Sequence, residues 1–329
     1  MSMATINLVL WDNGVGLTRD MELLRELWRA AGYDVFVSAR RRGTLRKWVA
    51  PWRFKARIAR QRWRGDDPAG RFAFNVMLEH ILPEYLDLGR QNVLIPNPEW
   101  FGEESRKLID RIDLVLTKTH HAEALFESLG SRTRFLGFTS VDRCIPGLPK
   151  ETAFFHLAGR SRHKGTDALL RIWREHPDWP KLTVVQNPRM AKERATAANI
   201  DHRIGYLSDV ELKRLQNAHL FHLCPSETEG FGHYIVEAMS VGAIVLTLDA
   251  PPMNELVTAD RGVLLPYDRT GKHGLATTYH FGDREIESAV QAALSLGDVQ
   301  REVLQANARR WFEQNDERFR GRMATVLRE

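Results

Sequence analysis

The amino-acid sequence predicts an α/β protein built from two doubly wound parallel sheets. Short apolar runs alternate with helical patterns along the whole chain, which is typical of strands joined by crossover helices. The alternation pauses once, in the turn-rich residues 146–149 (Pro-Gly-Leu-Pro). A length of 329 residues also suits two domains of roughly 150 residues each. We therefore expect two successive domains joined by a short linker.

The first half of the chain contains apolar runs of strand length. Patterns of helical period, at residues 20–31 and 122–129, lie between them. We place an N-terminal doubly wound domain at residues 1–147 and expect it to bind one of two ligands that meet between the domains. Its predicted strands lie at residues 6–11, 34–38, 92–96, 114–117 and 134–138.

The second half repeats the alternation and predicts a second doubly wound domain at residues 148–300. A long helical pattern at residues 301–328 dominates the last segment, 301–329. Open α/β sheets bind ligands beyond the carboxyl ends of their strands, so we expect the site in a cleft between the domains. The predicted strands are 153–158, 182–186, 220–223, 243–248 and 262–265, and the helices are 166–176, 209–217 and 233–240.

The positive charge of the chain is concentrated in one basic segment, residues 40–64. It contains eleven Lys or Arg and no acid, which leaves 36 basic and 42 acidic residues elsewhere, a net charge of −6. Trp48, Trp52, Phe54 and Trp63 are interleaved with the cations. This composition suits a membrane surface or another anionic acceptor. It equally suits nucleic acid, or a solvated helical face whose tryptophans enter the core.

Compartment and metal use are inferred from features the sequence lacks. No apolar run approaches the ~20 residues that span a bilayer, and the N-terminus resembles a first strand more than a secretory leader. Cys144 and Cys224 have no metal-ligand spacing and suit a reducing compartment. We expect a cytoplasmic protein, peripheral on the inner membrane surface through its basic segment. No convincing Asp-x-Asp or carboxylate–His metal cluster occurs, so we expect no metal ligands and no obligatory metal.

Residues 225–239 contain the most informative motif, which follows a predicted strand and leads into a predicted helix. Gly230 and Gly232 allow the backbone to approach a ligand, and the helix start offers free N–H groups to a phosphate. Glu229 lies in the loop, and Glu237 lies roughly a turn and a half into the helix. Carboxylates bind sugar hydroxyls well. The motif indicates a phosphate at the amides and the two acids on a sugar and a ribose, although two isolated glutamates also suit surface or capping roles.

A second motif, residues 155–165, comprises a strand end, a turn and the entrance to a helix. Arg160 and Lys164 lie four residues apart in it. Two cations that converge near a helix start can neutralise a diphosphate and stabilise it as a leaving group. A basic loop taken alone is equally compatible with a solvated surface.

Together the two motifs resemble those of the retaining glycosyltransferases of group 1 (family 4), which have the GT-B fold. Glu229 and Glu237 match the two acids of the family's E-x7-E pattern, and residues 159–165 match its G-R-x-x-x-K-G pattern. The resemblance implies two Rossmann-like domains that face each other across a cleft, with the donor bound by the second. It also implies that the last helix packs back toward the N-terminal domain.

The resemblance implies roles for individual residues of the donor site. Glu229 contacts the transferred sugar, Glu237 binds the ribose, and Arg160 and Lys164 bind the diphosphate. His233 stands where the family usually has an aliphatic residue, and we expect its imidazole to alter donor preference. The remaining donor-binding positions are Gly205 and Tyr206, near the base, and Gly230, Phe231, Gly232 and His233, at the helix start.

Residues of the N-terminal half are matched in outline. Gly14 and Gly16 resemble the family's glycine-rich loop that faces donor and acceptor, although a plain tight turn explains them equally well. The family commonly has a histidine near the reacting sugar carbon, and the corresponding loop here has none. We predict that Asn97 or Glu99 faces the donor and that His80 lines the acceptor side. A buried structural role suits His80 equally.

These observations predict a retaining glycosyltransferase that uses a nucleotide diphosphate sugar, UDP-sugar preferred and GDP-sugar next. The acceptor is expected to be a glycan, a lipid-linked molecule or another anionic molecule. No cofactor is expected, because the nucleotide sugar is a substrate. The alternatives are a DNA-modifying glycosyltransferase, a nucleotide-sugar epimerase that needs no acceptor, and a non-catalytic GT-B module that binds membrane or nucleic acid through the basic segment.

Overall fold

The computed structural model describes residues 3–12, 14, 16–41, 56, 60, 63 and 69–328. Unit 1 comprises Met1–Gly137 and Arg318–Glu329, and unit 2 comprises Phe138–Glu317. Each unit contains a six-stranded parallel sheet with helices in the connections, which confirms the predicted class of two Rossmann-like, doubly wound domains. None of the described helices is both long enough and apolar enough to cross a bilayer.

The sheet of unit 1 is entirely parallel. Its described strands are β1 (Thr5–Asp12), β2 (Asp34–Arg41), β3 (Phe72–Leu78), β4 (Gly89–Ile95), β5 (Leu114–Thr117) and β6 (Thr133–Phe135), in the order β2-β1-β3-β4-β5-β6. The described helices are α1 (Gly16–Ala30), α2 (Glu103–Arg106) and α3 (His120–Glu127), with 3-10 turns at Pro83–Leu88, Pro98–Trp100 and Ile109–Arg111. α1 buries Leu17, Met21, Leu24 and Trp28, which share one face because they are spaced three or four residues apart.

Strand β3 is not predicted from the sequence, because the polar Asn75 interrupts its apolar run. In the structure Asn75 is the middle member of a buried amide ladder across β1, β3 and β4. Asn7 Nδ2 donates to Asn75 Oδ1 at 2.9 Å, and Asn75 Nδ2 donates to Asn92 Oδ1 at 3.1 Å. A slip of one residue would leave these buried amides without their partners, so the ladder fixes the register of the three strands.

The sheet of unit 2 is also entirely parallel. Its strands are β7 (Glu151–Gly159), β8 (Leu182–Gln186), β9 (Ile200–Ile204), β10 (His219–Leu223), β11 (Ile244–Leu248) and β12 (Gly262–Leu265), in the order β12-β11-β10-β7-β8-β9. An antiparallel pair, β13 (Arg269–His273) and β14 (Ala276–His280), is additional to the predicted strands. The helices are α4 (Thr166–Glu175), α5 (Asp209–Ala218), α6 (His233–Ser240), α7 (Met253–Leu256), α8 (Asp283–Leu294) and α9 (Asp298–Thr325).

The division between the units differs from the one expected from the sequence. The turn-rich linker suggests a boundary at residue 147, whereas the structure divides the chain after Gly137. Residues 138–145 belong to unit 2. Arg143 N donates to Ser240 Oγ at 3.0 Å, and Asn217 Nδ2 donates to Arg143 O at 2.8 Å. Turn signals mark where the chain bends, but these bonds determine which unit the segment joins.

The last helix, α9, begins slightly before the expected segment 301–329, and its residues are divided between the units. Those from Arg318 onward belong to unit 1. Within unit 1, Arg322 Nε donates to Leu136 O at 2.6 Å. Unit 1 therefore combines two segments that are distant in sequence.

Helix α5 begins at a capping box that the sequence Ser-x-x-Glu encodes. Ser208 Oγ accepts a hydrogen bond from Glu211 N at 3.3 Å, and Glu211 Oε2 accepts one from Ser208 N at 2.9 Å. The two bonds satisfy backbone donors that a helix start leaves without partners. The cap fixes the first turn of the helix that carries Gln216.

A buried histidine, His156, lies in the centre of unit 2 on β7. Its Nδ1 lies 2.8 Å from Leu223 O and its Nε2 lies 2.9 Å from Thr166 Oγ1. A carbonyl only accepts, so Nδ1 carries the proton and Nε2 accepts from the hydroxyl. Burial lowers the pKa of His156 from its ordinary 6.5 to about 4. The side chain is therefore a neutral member of the core.

We predict that His156 makes the protein sensitive to acid. The unfolded state takes up a proton on this side chain near pH 6.5, whereas the folded state does so only near pH 4, so stability is lost as the pH falls through that window. The loss is about 3 kcal/mol, from a pKa difference of about 2.5. Urea unfolding between pH 7 and pH 4 should show a shallower loss of stability for His156→Gln than for wild type. His120→Gln, at an exposed position, is the control, and equal pH dependence of wild type and His156→Gln would contradict the prediction.

Candidate functional site

The two predicted motifs meet at the carboxyl edge of the sheet of unit 2. One motif connects β7 to α4 and the other connects β10 to α6, and β7 and β10 are neighbours in the sheet. Parallel neighbours end at the same edge, so the loops lie side by side. Glu227 N donates to His163 O at 2.8 Å, and His163 Nδ1 lies 2.8 Å from Glu227 Oε2. These bonds join the two loops.

Glycine is required where each loop enters its helix. Gly165 precedes α4 with φ +64°, and Gly232 precedes α6 with φ +101°. A Cβ on Gly165 would lie 2.6 Å from Phe281 Cε1, and one on Gly232 would lie 3.0 Å from Leu256 Cδ1. In both helices, the first N–H groups therefore directly follow a residue that has no side chain. Such helix starts bind anions.

Lys164 supplies a half-buried positive charge at the start of α4. Its Nζ donates to Leu157 O at 3.0 Å and lies 3.6 Å from the centre of the Tyr234 ring. Burial lowers the pKa of Lys164, and the negative charges of Glu229 and Glu237 act in the opposite direction. The two acids of the E-x7-E pattern are thus close enough to act on this ammonium group. The structure brings these three predicted site residues together.

Glu229 is held by Ser226, which in turn bonds to Tyr234, and the sequence pattern assigns a role to neither residue. Ser226 Oγ donates to Glu229 Oε1 at 2.6 Å and also bonds to the hydroxyl of Tyr234. Burial raises the pKa of Tyr234, which keeps its hydroxyl protonated. Both residues lie within residues 225–239, so position in the motif is the sequence signal that points to them.

Glu237 is 6% exposed on α6, and its carboxylate accepts a hydrogen bond from Gln216 Nε2 on α5 at 3.0 Å. A surface or capping role, which the sequence alone allows, does not suit a carboxylate so deeply buried. Burying a carboxylate is costly unless it is hydrogen-bonded, and the bond from Gln216 supplies such a partner.

His233 packs within unit 2 while keeping its backbone at the start of α6. Its Nδ1 lies 2.9 Å from Ser140 Oγ, and its ring lies against those of Phe138 and Phe231, at 5.7 and 5.3 Å between centroids. These contacts explain why a histidine can replace the aliphatic residue usual in the family that the sequence resembles. An effect of His233 on donor preference stays a prediction.

The other predicted residues of unit 2 are less enclosed. Arg160 is exposed in the loop after β7. Gly205 and Tyr206 follow β9, two strands away from β7 in the sheet, and Gly205 N donates to Gln186 O at 3.1 Å. Tyr206 is 92% exposed. Gly205 and Tyr206 lie at the same sheet edge as the motifs but outside the cluster around Lys164.

Predicted sites near the start of unit 1 are described in part. Gly14 has φ +69°, which favours glycine, and Gly16 begins α1. Asn13 and Val15, and most of the basic segment 40–64, lie outside the described residues. Within that segment Trp63 is 86% exposed, so this ring does not enter the core.

Unit 1 has a polar cluster of its own at the carboxyl edge of its sheet. Lys118 Nζ donates to Asp20 Oδ2 at 2.7 Å and to Asn97 Oδ1 at 3.1 Å. Asn97 Nδ2 donates to Glu79 Oε1 at 3.4 Å, and His80 Nε2 lies 3.2 Å from Glu79 Oε2. The predicted Asn97 and His80 are thus brought together through a third residue, Glu79.

Three members of this cluster, Glu79, Lys118 and Asp20, are not predicted from the sequence. Glu79 and Lys118 directly follow β3 and β5, which would be a sequence signal, but β3 itself is hidden by Asn75. Glu79 has φ +67°, a left-handed conformation that is strained outside glycine and concentrates at functional sites. The predicted Glu99 lies in the 3-10 turn after β4 and is half-buried. Among the described residues, no three His, Cys, Asp or Glu are arranged to hold a metal ion.

We predict that Lys118→Met destabilises unit 1 by about 3–5 kcal/mol, because it removes the cation that neutralises a buried carboxylate. Both partners of the Lys118–Asp20 ion pair have side chains that are 4% exposed. Urea unfolding measures the change, and the double variant Lys118→Met with Asp20→Leu should recover part of it. Lys107→Met, in the exposed pair with Glu104, is the control and should change little. Equal losses for the single and double variants would contradict the prediction.

Solved structures share the fold over nearly the whole chain. Sucrose-phosphate synthase from Thermosynechococcus elongatus has a TM-score of 0.72 at 16% identity, covering 99% of this chain and 98% of that one. The E. coli trehalose-6-phosphate structure bound with UDP-2-fluoro glucose has a TM-score of 0.68 at 11% identity, covering 98% and 99%. WaaG, a glycosyltransferase involved in lipopolysaccharide biosynthesis, has a TM-score of 0.66 at 16% identity, covering 99% and 100%. At these identities the likeness establishes the fold.

The family assignment rests on unit 2. Residues 140–272 match the family model of the group 1 glycosyl transferases, and this range contains Arg160, Lys164, Glu229 and Glu237. No sequence among the curated proteins matches the chain. The predicted GT-B fold is confirmed over nearly the whole chain, and the predicted resemblance to the group 1 glycosyl transferases is confirmed over residues 140–272.

Proposed function

We propose that the protein transfers a sugar, with retention of configuration, from a nucleoside diphosphate donor bound by unit 2. The observation that carries the proposal is the half-buried ammonium group of Lys164 at a helix start, on which the charges of Glu229 and Glu237 act. A buried cation costs free energy unless an anion compensates it. A donor diphosphate at the starts of α4 and α6 supplies that anion and gains hydrogen bonds from backbone N–H groups.

The chemistry of transfer follows from where negative charge develops. When the bond between the sugar and the diphosphate breaks, charge accumulates on the departing phosphate oxygens. Lys164 and Arg160 stabilise that charge, together with the amides around Gly232. In this proposal the protein's own cations stabilise the charge that a metal ion stabilises in other transferases. No cofactor is needed beyond the nucleotide sugar.

The two acids bind different parts of the donor. Glu229 accepts hydrogen bonds from hydroxyls of the transferred sugar, and Glu237 accepts them from the ribose. The exposed ring of Tyr206 offers a face on which the base can stack. UDP is the preferred nucleotide. UDP-2-fluoro glucose, bound by the E. coli structure of the same fold, agrees with that preference.

The acceptor is proposed to bind at the polar cluster of unit 1. Glu79 and Asn97 can accept hydrogen bonds from its hydroxyls, and His80 lies beside them. The basic segment 40–64 suits an anionic or lipid-linked acceptor better than a neutral one. The cysteines Cys144 and Cys224 are free thiols, which agrees with action in the cytoplasm.

Thermal unfolding with UDP, GDP and their sugar conjugates, in the presence of EDTA, tests the donor site. A ligand that binds only the folded state at a hundred times its Kd raises stability by about 2.7 kcal/mol. We expect stabilisation of wild type by one nucleotide family and a weaker effect on Glu237→Ala. Glu255→Ala, on α7, is the control and should respond as wild type does. No shift with any nucleotide at millimolar concentration would remove support for the transferase and favour a binding module.

Lys164→Met separates diphosphate binding from nucleoside binding. We expect calorimetry to show UDP binding weakened by about 2 kcal/mol, the contribution of a hydrogen bond to a charged group, and uridine binding unchanged. Lys192→Met, at an exposed lysine, is the control. Equal loss for uridine and UDP would contradict the proposal.

A further inference from the structure

We propose that Gln216 and Arg143 are positioning residues for the donor ribose: they orient the carboxylate of Glu237 through a buried chain of hydrogen bonds. This inference rests on the proposed function, in which Glu237 binds the ribose. Neither residue belongs to the motifs that the sequence matches, and Arg143 lies in the segment that precedes β7.

The chain begins at the carboxylate. Gln216 Nε2 donates to Glu237 Oε2 at 3.0 Å, and Gln216 is 1% exposed. On its other side, Arg143 Nε donates to Gln216 Oε1 at 2.8 Å. The side chain of Gln216 thus lies between a cation and an anion, both buried.

The chemistry of the two neighbours fixes the orientation of the Gln216 amide. A guanidinium only donates hydrogen bonds and a carboxylate only accepts them. The amide oxygen must therefore face Arg143 and the amide nitrogen must face Glu237. The reverse orientation would place oxygen against carboxylate and nitrogen against guanidinium, which is repulsive at both ends. Arg143 in this way determines that Glu237 receives a donor.

Arg143 is itself held rigidly. Its side chain is 6% exposed, and its Nη1 donates to Asp209 Oδ1 at 2.6 Å while its Nη2 donates to Asp209 O at 3.3 Å. Its backbone N donates to Ser240 Oγ on α6 at 3.0 Å. Asp209 is 68% exposed, so the chain of contacts runs from the surface to Glu237 and links α5, α6 and the segment before β7.

The consequence for the ligand is selectivity for the ribose hydroxyls. A carboxylate binds a diol well only when its plane is set so that its oxygens meet the hydroxyls. The bond from Gln216 restricts rotation about the last torsion of Glu237, which is otherwise broad. Loss of Gln216 should therefore weaken binding of ligands that have the hydroxyls and spare ligands that lack them. A role in stability alone would not distinguish these ligands.

The test compares Kd values of UDP and 2′,3′-dideoxy-UDP by calorimetry. Wild type should prefer UDP by about tenfold to a hundredfold, as two hydrogen bonds to a carboxylate allow. Gln216→Leu should bind UDP more weakly, bind the dideoxy analogue as wild type does, and so retain about a threefold preference or less. Arg143→Lys, which keeps the charge but not the forked donor, should also reduce the preference if the first variant does not fold. Gln291→Leu, the same change at an exposed site on α8, is the control.

Each outcome of this comparison either supports or contradicts the positioning role of Gln216 and Arg143. A full preference for UDP in a folded Gln216→Leu or Arg143→Lys variant overturns the positioning role while leaving the proposed function intact. Equal weakening of both ligands also overturns it, because it indicates a structural role only. Wild type that binds both ligands equally overturns the ribose role of Glu237 and this inference with it. Wild type that binds neither ligand contradicts the proposed donor site itself.

Discussion

A half-buried ammonium group on which two carboxylates act electrostatically is the interaction on which the candidate donor site depends. Lys164 is held by a carbonyl and an aromatic face, and the acids at positions 229 and 237 act on it electrostatically. Each of these charges is costly to bury alone. The glycines at the two helix starts, the Ser226–Tyr234 pair and the chain through Gln216 all serve to keep the three charges in place. A polyanionic ligand with hydroxyls suits this arrangement because it meets both kinds of charge.

The arrangement of residues at the carboxyl edge of the sheet of unit 1 depends on the register of its strands. The amide ladder of Asn7, Asn75 and Asn92 fixes three neighbouring strands, and the residues that follow those strands are thereby set in relation to one another. Glu79 and Asn97 come into hydrogen-bonding distance at that edge. In both units a buried polar interaction inside the sheet or beside it determines what the loops at its edge can bind.

Much of the fold and the donor site could be predicted from local sequence. The alternation of apolar runs and helical patterns gave both sheets, and short-range motifs identified Lys164 and Glu229. Strand β3 was hidden because one polar residue, Asn75, replaces an apolar one for a reason that exists only in the folded sheet. Arg143 and Gln216 could not be found, because their roles arise from contacts between segments distant in the chain. Local sequence patterns encode the glycines and the charged residues of a site. The residues that hold those charged residues in place come from segments distant in the chain.

The construction of unit 1 from two segments distant in sequence has a consequence for the order in which the protein can form. Unit 1 needs both the first part of the chain and the residues from Arg318 onward, and Arg322 bonds to the backbone of Leu136. A ribosome that has made all of unit 2 has not yet released the residues that complete unit 1. Nascent unit 1 must therefore wait, with part of its surface unfilled, until the residues from Arg318 onward have been made. Deleting only residues 318–328 damages the unit made first.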